Sequence, residues 1–156
     1  MNQRGLTLLE LLIALAIGAA LLVIGIVLFT PSAPRRAALD LQRLYLSARN
    51  RAIVHSQHIA VVPANGAFTR WQVKHVPSFR ECGAGSVLLT TSLYGSAAIR
   101  VASTDAKQGT VVWMPNGAPR ACNATLPNQT LHISGASATY KVVISNLGRV
   151  SIEAVQ

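Results

Sequence analysis

Charge is scarce in this sequence of 156 residues: only 12% of it is Asp, Glu, Lys or Arg, against about a quarter in an ordinary soluble domain. A surface so thin in charge points to a segment held in lipid. Acidic residues are the rarest, five in all. Beyond the N-terminal stretch they are Asp40, Glu81, Asp105 and Glu153, too dispersed for an acid–base pair or a calcium loop. The four histidines, His55, His58, His75 and His132, form neither an HExxH motif nor a Cys/His zinc spacing. His55 and His58, three apart at a helix end, read as a helix C-terminal cap rather than a metal pair. There is no G-x-S-x-G elbow. The Gly83-Ala84-Gly85-Ser86 run lacks the length and the lysine of a phosphate-binding loop and reads as a turn beside Cys82. These absences argue against an enzyme, and no cofactor or metal is expected.

The charge that is present is unbalanced, with a formal net of +9. Residues 1–30 hold only Arg4 and Glu10, which leaves the remainder with thirteen of the fourteen Lys and Arg and four of the five acids. That remainder is drawn to polyanions such as nucleic acid or anionic lipid, or is simply a solvated basic surface. Both cysteines, Cys82 and Cys122, also lie there. If that part is exported, an oxidising compartment favours joining them over leaving two buried thiols. Closing a loop of about 40 residues stabilises a fold by roughly 3 to 4 kcal/mol on the chain-entropy account.

Residues 6–29, LTLLELLIALAIGAALLVIGIVLF, carry one charge, Glu10. As a helix the run is about 36 Å long, enough to span a hydrocarbon core of about 30 Å. A carboxylate in lipid is costly and persists with a partner or a function. Cutting between Gly5 and Leu6 creates an α-ammonium at Leu6, four residues before Glu10 and on the same helix face. Amine and carboxylate then neutralise each other, within one chain or between neighbours. The competing reading is a carboxyl that stays protonated or snorkels to the interface.

Arg4, Gly5, Leu6, Thr7, Leu8, Leu9 and Glu10, followed by the unbroken apolar run, resemble the class III signal of type IV pilins and type II secretion pseudopilins. The resemblance implies cleavage by a prepilin peptidase after Gly5, N-methylation of Leu6 and packing of apolar helices into a filament core. It also implies that Glu10 pairs with a subunit's terminal amine during assembly. Leu6 stands where the family more often has phenylalanine. Arg4 on the inner flank against Arg35 and Arg36 on the outer one runs against the positive-inside bias. The N-in orientation is kept because the family's leader meets a cytoplasmic-side peptidase.

Thr30, Pro31, Ser32, Ala33 and Pro34 are expected to interrupt the helix with a kink near Pro31 and Pro34. Helical pattern resumes to about residue 57, with Ala38, Leu41, Tyr45, Ala48 and Ala52 as an apolar stripe and Asp40, Arg43, Ser47 and Asn50 as its polar face. The period then drops to two. Strands are expected at 59–62, 68–75, 87–91, 99–102, 110–114, 130–134, 139–144 and 149–154, with turn signals at Asn65-Gly66, Asn116-Gly117 and Asn146 to Gly148. The fold class is therefore α+β: a long N-terminal helix, half membrane and half amphipathic, packed on an antiparallel β head. Its parts are a leader at 1–5, a transmembrane or filament-core helix at 6–30, an amphipathic helix at 31–57 and a β-rich head at 58–156. Within the pilin-like proteins, Gly148-Arg149 followed by Val150, Ser151 and Ile152 is most similar to the GspH/FimT group.

Two functions follow from the resemblance. The first is a minor pilin or pseudopilin, a structural subunit whose partners are other pilins and the prepilin peptidase. It would sit as a single-pass protein of the inner membrane with an exported head, and later in a cell-surface pilus or a periplasmic pseudopilus. The second is a pilus-borne DNA receptor for natural transformation, through a Gly-Arg-x-Arg element. Gly148 and Arg149 match it, but Ser151 replaces the second arginine. Lys141, Arg120 and Lys74 join Arg149 as candidate DNA contacts if the strands bring them together. A membrane protein unrelated to filaments is a third reading, and it predicts an uncut N-terminus.

Overall fold

Leucine, isoleucine, valine and alanine without a proline or β-turn pair give α1, Leu8–Phe29. The structure, a computed structural model, describes residues 8–29, 32–64, 68–96, 98–103, 110–122, 129–136 and 138–155. Gly5, Leu6, Pro31 and the Asn65-Gly66 turn signal lie outside them. The side chains of α1 described from Leu8 to Val23 are exposed around the whole circumference, with Leu8, Leu15 and Leu22 each well over half exposed in the single chain. A helix apolar on every side is made to be covered by lipid or by other helices. Among the described residues no helix is long and apolar enough to cross a membrane. In the sequence the apolar run itself continues through residues 24–29.

The chain forms two compact units, residues 1–31 and 32–156. The second opens at Ser32, whose ψ of 151° is not helical, and α2 occupies Ala33–His55. Pro34 stands in the first turn, where its missing N–H has no intrahelical partner to lose. The helix stops at Ser56, a left-handed residue at φ 51°, as the Gln57 N–H donates to the Ala52 carbonyl at 3.1 Å. His55 is in the last helical turn, whereas His58 has already entered the first strand, so the two share no cap. Every residue of the expected stripe, Ala38, Leu41, Tyr45, Ala48 and Ala52, is buried, together with Ala37 and Leu44.

Among the described residues nine strands follow: β1 His58–Pro63, β2 Arg70–Val76, β3 Ser86–Ser92, β4 Arg100–Ser103, β5 Val111–Trp113, β6 Pro119–Ala121, β7 Gln129–Ser134, β8 Thr139–Ile144 and β9 Val150–Val155. They make two antiparallel sheets, β3-β2-β1-β5-β6 and β4-β7-β8-β9. Eight coincide with the expected strands to within two residues at either end. The ninth, β6, is a three-residue edge strand that opens with a proline, a position where no ladder N–H is needed. Strand β2 begins two residues later than the alternation suggests because Phe68 takes a positive φ of 54°.

Helix α2 packs on β1 and β5 of the larger sheet and on β7, β8 and β9 of the smaller one. Its stripe meets Ile59, Val61, Trp71, Val111 and Trp113 from one sheet and Leu131, Ile133, Val142 and Ile144 from the other. Tyr45 stands edge-on to Trp71, ring centroids 6.0 Å apart. Burial pushes its hydroxyl well above the ordinary tyrosine range, so it stays neutral. The opposite face of the larger sheet has its own small cluster, Ala60, Val76, Val112 and Cys82, with Phe79 and Cys122 against it. Cys82 and Cys122 are joined in a disulfide with Cα atoms 5.8 Å apart. The bond ties the segment after β2 to the end of β6, which is why β1 and β5 are buried on both faces.

Candidate functional site

Glu10 lies in the first turn of α1 and is the only charged residue of that helix. A carboxylate there is favoured by the positive end of the helix dipole. Gly5 and Leu6, the residues on either side of the expected cut, lie outside the described residues. The first site therefore rests on Glu10 and on the apolar helix that carries it.

The candidate DNA contacts divide between the sheets. Lys74 faces Ala60 across β2 and β1, Ala60 faces Val112, and Val112 faces Arg120. Directly paired residues share a face, so Lys74 and Arg120 sit in one cross-strand row on the side of the larger sheet away from α2. Lys141 belongs to the smaller sheet, in a row with His132 and Glu153, and the opposed carboxylate offsets its charge. The four do not form one patch.

A different grouping exists at the hairpin ends. Gly117, at φ 77°, closes the β5–β6 turn, and Gly148, at φ 80°, closes the β8–β9 turn. The two turns abut: a Cβ built on Gly148 would lie 3.2 Å from Cζ3 of Trp113, and 3.3 Å from both the Gly117 carbonyl oxygen and Cδ of Pro119. Arg49 of α2 fastens them together. Its Nε donates to the Gly117 carbonyl at 3.2 Å, its Nη1 reaches the Gly148 carbonyl at 3.5 Å, and its guanidinium stands 5.9 Å from the Trp113 ring centroid. The Arg149 N–H donates to Ser145 Oγ at 3.1 Å, which fixes the backbone of the exposed residue just beyond the glycine. Arg149 and Arg120 each follow directly on a residue of this junction, Gly148 and Pro119. Arg49 was not among the sequence candidates. The signal was present, since Arg49 follows Tyr45 by four and precedes Ala52 by three, a cation on the edge of the buried stripe.

Among the described residues no group of three or more His, Cys, Asp and Glu side chains is placed to hold a metal ion. What these features offer is packing and charge: an apolar helix with one acid near its start, and a head with arginines at its turns.

A helix of this kind leading into an α2-centred antiparallel head defines a pilin-like α+β protein. The chain belongs to the type II transport protein GspH family, whose profile matches residues 37–148, and the prokaryotic N-terminal methylation motif matches residues 1–28. Two solved structures share the fold. The type IV minor pilin FimU of Pseudomonas aeruginosa is 17% identical, with a TM-score of 0.64 over 78% of this chain and 92% of that one. The minor pseudopilin EpsH from the type 2 secretion system of Vibrio cholerae is 12% identical, with a TM-score of 0.57 over 79% of this chain and 98% of that one. No curated protein sequence matches significantly. Family and fold are those of membrane-anchored structural subunits of the minor pilin or pseudopilin type, which assemble with other pilins.

Proposed function

We propose that this chain has no catalytic role and enters a type IV pilus or a type II secretion pseudopilus as a minor subunit, after a prepilin peptidase cuts between Gly5 and Leu6. The observation that carries the reading is Glu10, a single acid in the first turn of an otherwise apolar α1, within the methylation motif. Before assembly α1 holds the protein in the inner membrane with its head exported. The new Leu6 amine and a Glu10 carboxylate then neutralise each other as helices pack, removing two charges from lipid at once. Glu10→Ala should still be cut and methylated, seen as a mature mass beginning at Leu6, yet be missing from sheared filaments. Recovery of the variant in filaments at the normal level, or a mature protein beginning at Met1, refutes the reading.

DNA capture is a second reading, favoured by the exposed Arg149 next to Gly148, on the β8–β9 turn that Arg49 fastens to the β5–β6 turn. An exposed arginine whose backbone is fixed in this way meets backbone phosphates without base preference. The full chain should bind duplex DNA at low salt, with an affinity that falls steeply as salt rises, and Arg149→Ala should flatten that slope by about one phosphate contact. Absence of binding at low salt removes this second reading and leaves the first intact.

A further inference from the structure

We propose that the end of the head at which α2 begins binds the anionic phosphodiester headgroups of the membrane's outer leaflet, through Arg35, Arg36 and Arg100, with Tyr94 seated in the headgroup layer. The inference rests on the membrane-anchored reading of α1. It accounts for the one sequence feature that reading leaves unexplained, the arginine pair on the outer flank.

Neither arginine of that pair helps the helix. Cations in a first turn oppose the helix dipole, and α2 has no acid in its first turn to offset them. Two loops bring further groups to the same end. In the β3–β4 connection a Cβ on Gly95 would lie 3.1 Å from Cβ of Ala33. The Arg36 guanidinium stands 4.8 Å from the ring centroid of the neighbouring Tyr94, which is 50% exposed. In the β7–β8 turn a Cβ on Gly135 would lie 3.0 Å from Cδ of Pro34. Strand β4 starts beside that turn, with Arg100 paired to Ser134. Arg35 and Arg100 are exposed. Asp40, one turn beyond Arg36, accepts the backbone N–H of Tyr94 at 3.2 Å and so ties that loop to α2.

Chain connectivity sets the distance. Only residues 30–32 separate α1 from α2, so a span ending at Phe29 keeps Arg36 within about 25 Å of the lipid surface even for a fully extended link. Tyrosine, like tryptophan, is favoured in the headgroup layer, apolar body inward and hydroxyl in the headgroups. Each arginine near an anionic surface strengthens attachment about fivefold, and three together by roughly a hundredfold. The shared chemistry is phosphate recognition by guanidinium, and the source proposed is lipid.

The test places full-length protein in vesicles of phosphatidylcholine, with and without phosphatidylglycerol, and maps arginine reactivity to phenylglyoxal by mass spectrometry. Arg35, Arg36 and Arg100 should become several-fold less reactive only with phosphatidylglycerol and regain reactivity at high salt, while Arg120 and Arg149 react alike in both. A triple Arg→Gln variant at the three positions should lose its preference for phosphatidylglycerol vesicles while melting as the parent does. Equal reactivity in the two lipids overturns the inference alone, as does equal protection by inorganic phosphate without vesicles. Failure of the chain to stay with either kind of vesicle overturns the anchor reading and this inference with it.

Discussion

Gly148 holds together more of the head than its size suggests. At φ 80° it takes a backbone conformation that costs an L-residue energy, and the space a methyl group would need is bounded by Trp113, Gly117 and Pro119. Gly148→Ala should therefore lower stability by about 1 to 3 kcal/mol, read as a shift in the urea midpoint, with Arg149 still exposed but its turn displaced. A variant as stable as the parent would show that the junction is looser than its geometry. Position 148 was legible in the sequence as a turn, because Asn146 and Gly148, with one residue between them, follow a strand pattern. Its contact with the β5–β6 turn was not, since nothing local to residues 146–149 reports what lies thirty positions away. Arg49 escaped for a related reason: on a helical wheel it borders the buried face, and a bordering arginine reads as solvated until a partner carbonyl is known.

At the scale of elements, periodicity carried most of the assignment. The α2 stripe follows from spacing alone, and seven-residue patterns such as β3 stand out because their β-branched residues are bracketed by glycine and serine. Strand β6 was missed because three residues opening on proline are too short a run for their alternation to stand out. The cysteine pair was legible as a bond given export, but its task was not. The bond lies outside the α2-packed core, holding the segment around Phe79 and Cys82 over Ala60 and Val112. Replacing both cysteines with serine should cost roughly 3 kcal/mol of global stability. Hydrogen exchange should rise first in residues 77–85 and across β1 and β5, with β7 and β8 still protected. Uniform loss of protection across both sheets would mean that the bond supports the whole head rather than one face of it.

At the scale of the molecule, the α+β class and the order of helix before strands were readable from the change in period after residue 57. The division into two sheets was not, because alternation says which residues face inward and not which strands pair. The candidate DNA residues failed to converge for the same reason: Lys74 and Lys141 look equivalent in sequence, yet register sends them to separate sheets. The membrane anchor was legible from the apolar run and its one acid, and the family match rests on the methylation motif together with the head. The two sheets are separate ladders, and both lie on α2. A pull applied to the chain from its N-terminal side thus enters the head along its most deeply gripped helix. To extract that helix, force would have to drag Leu41, Tyr45, Ala48 and Ala52 past two walls of side chains at once, while no single strand is presented to be unzipped.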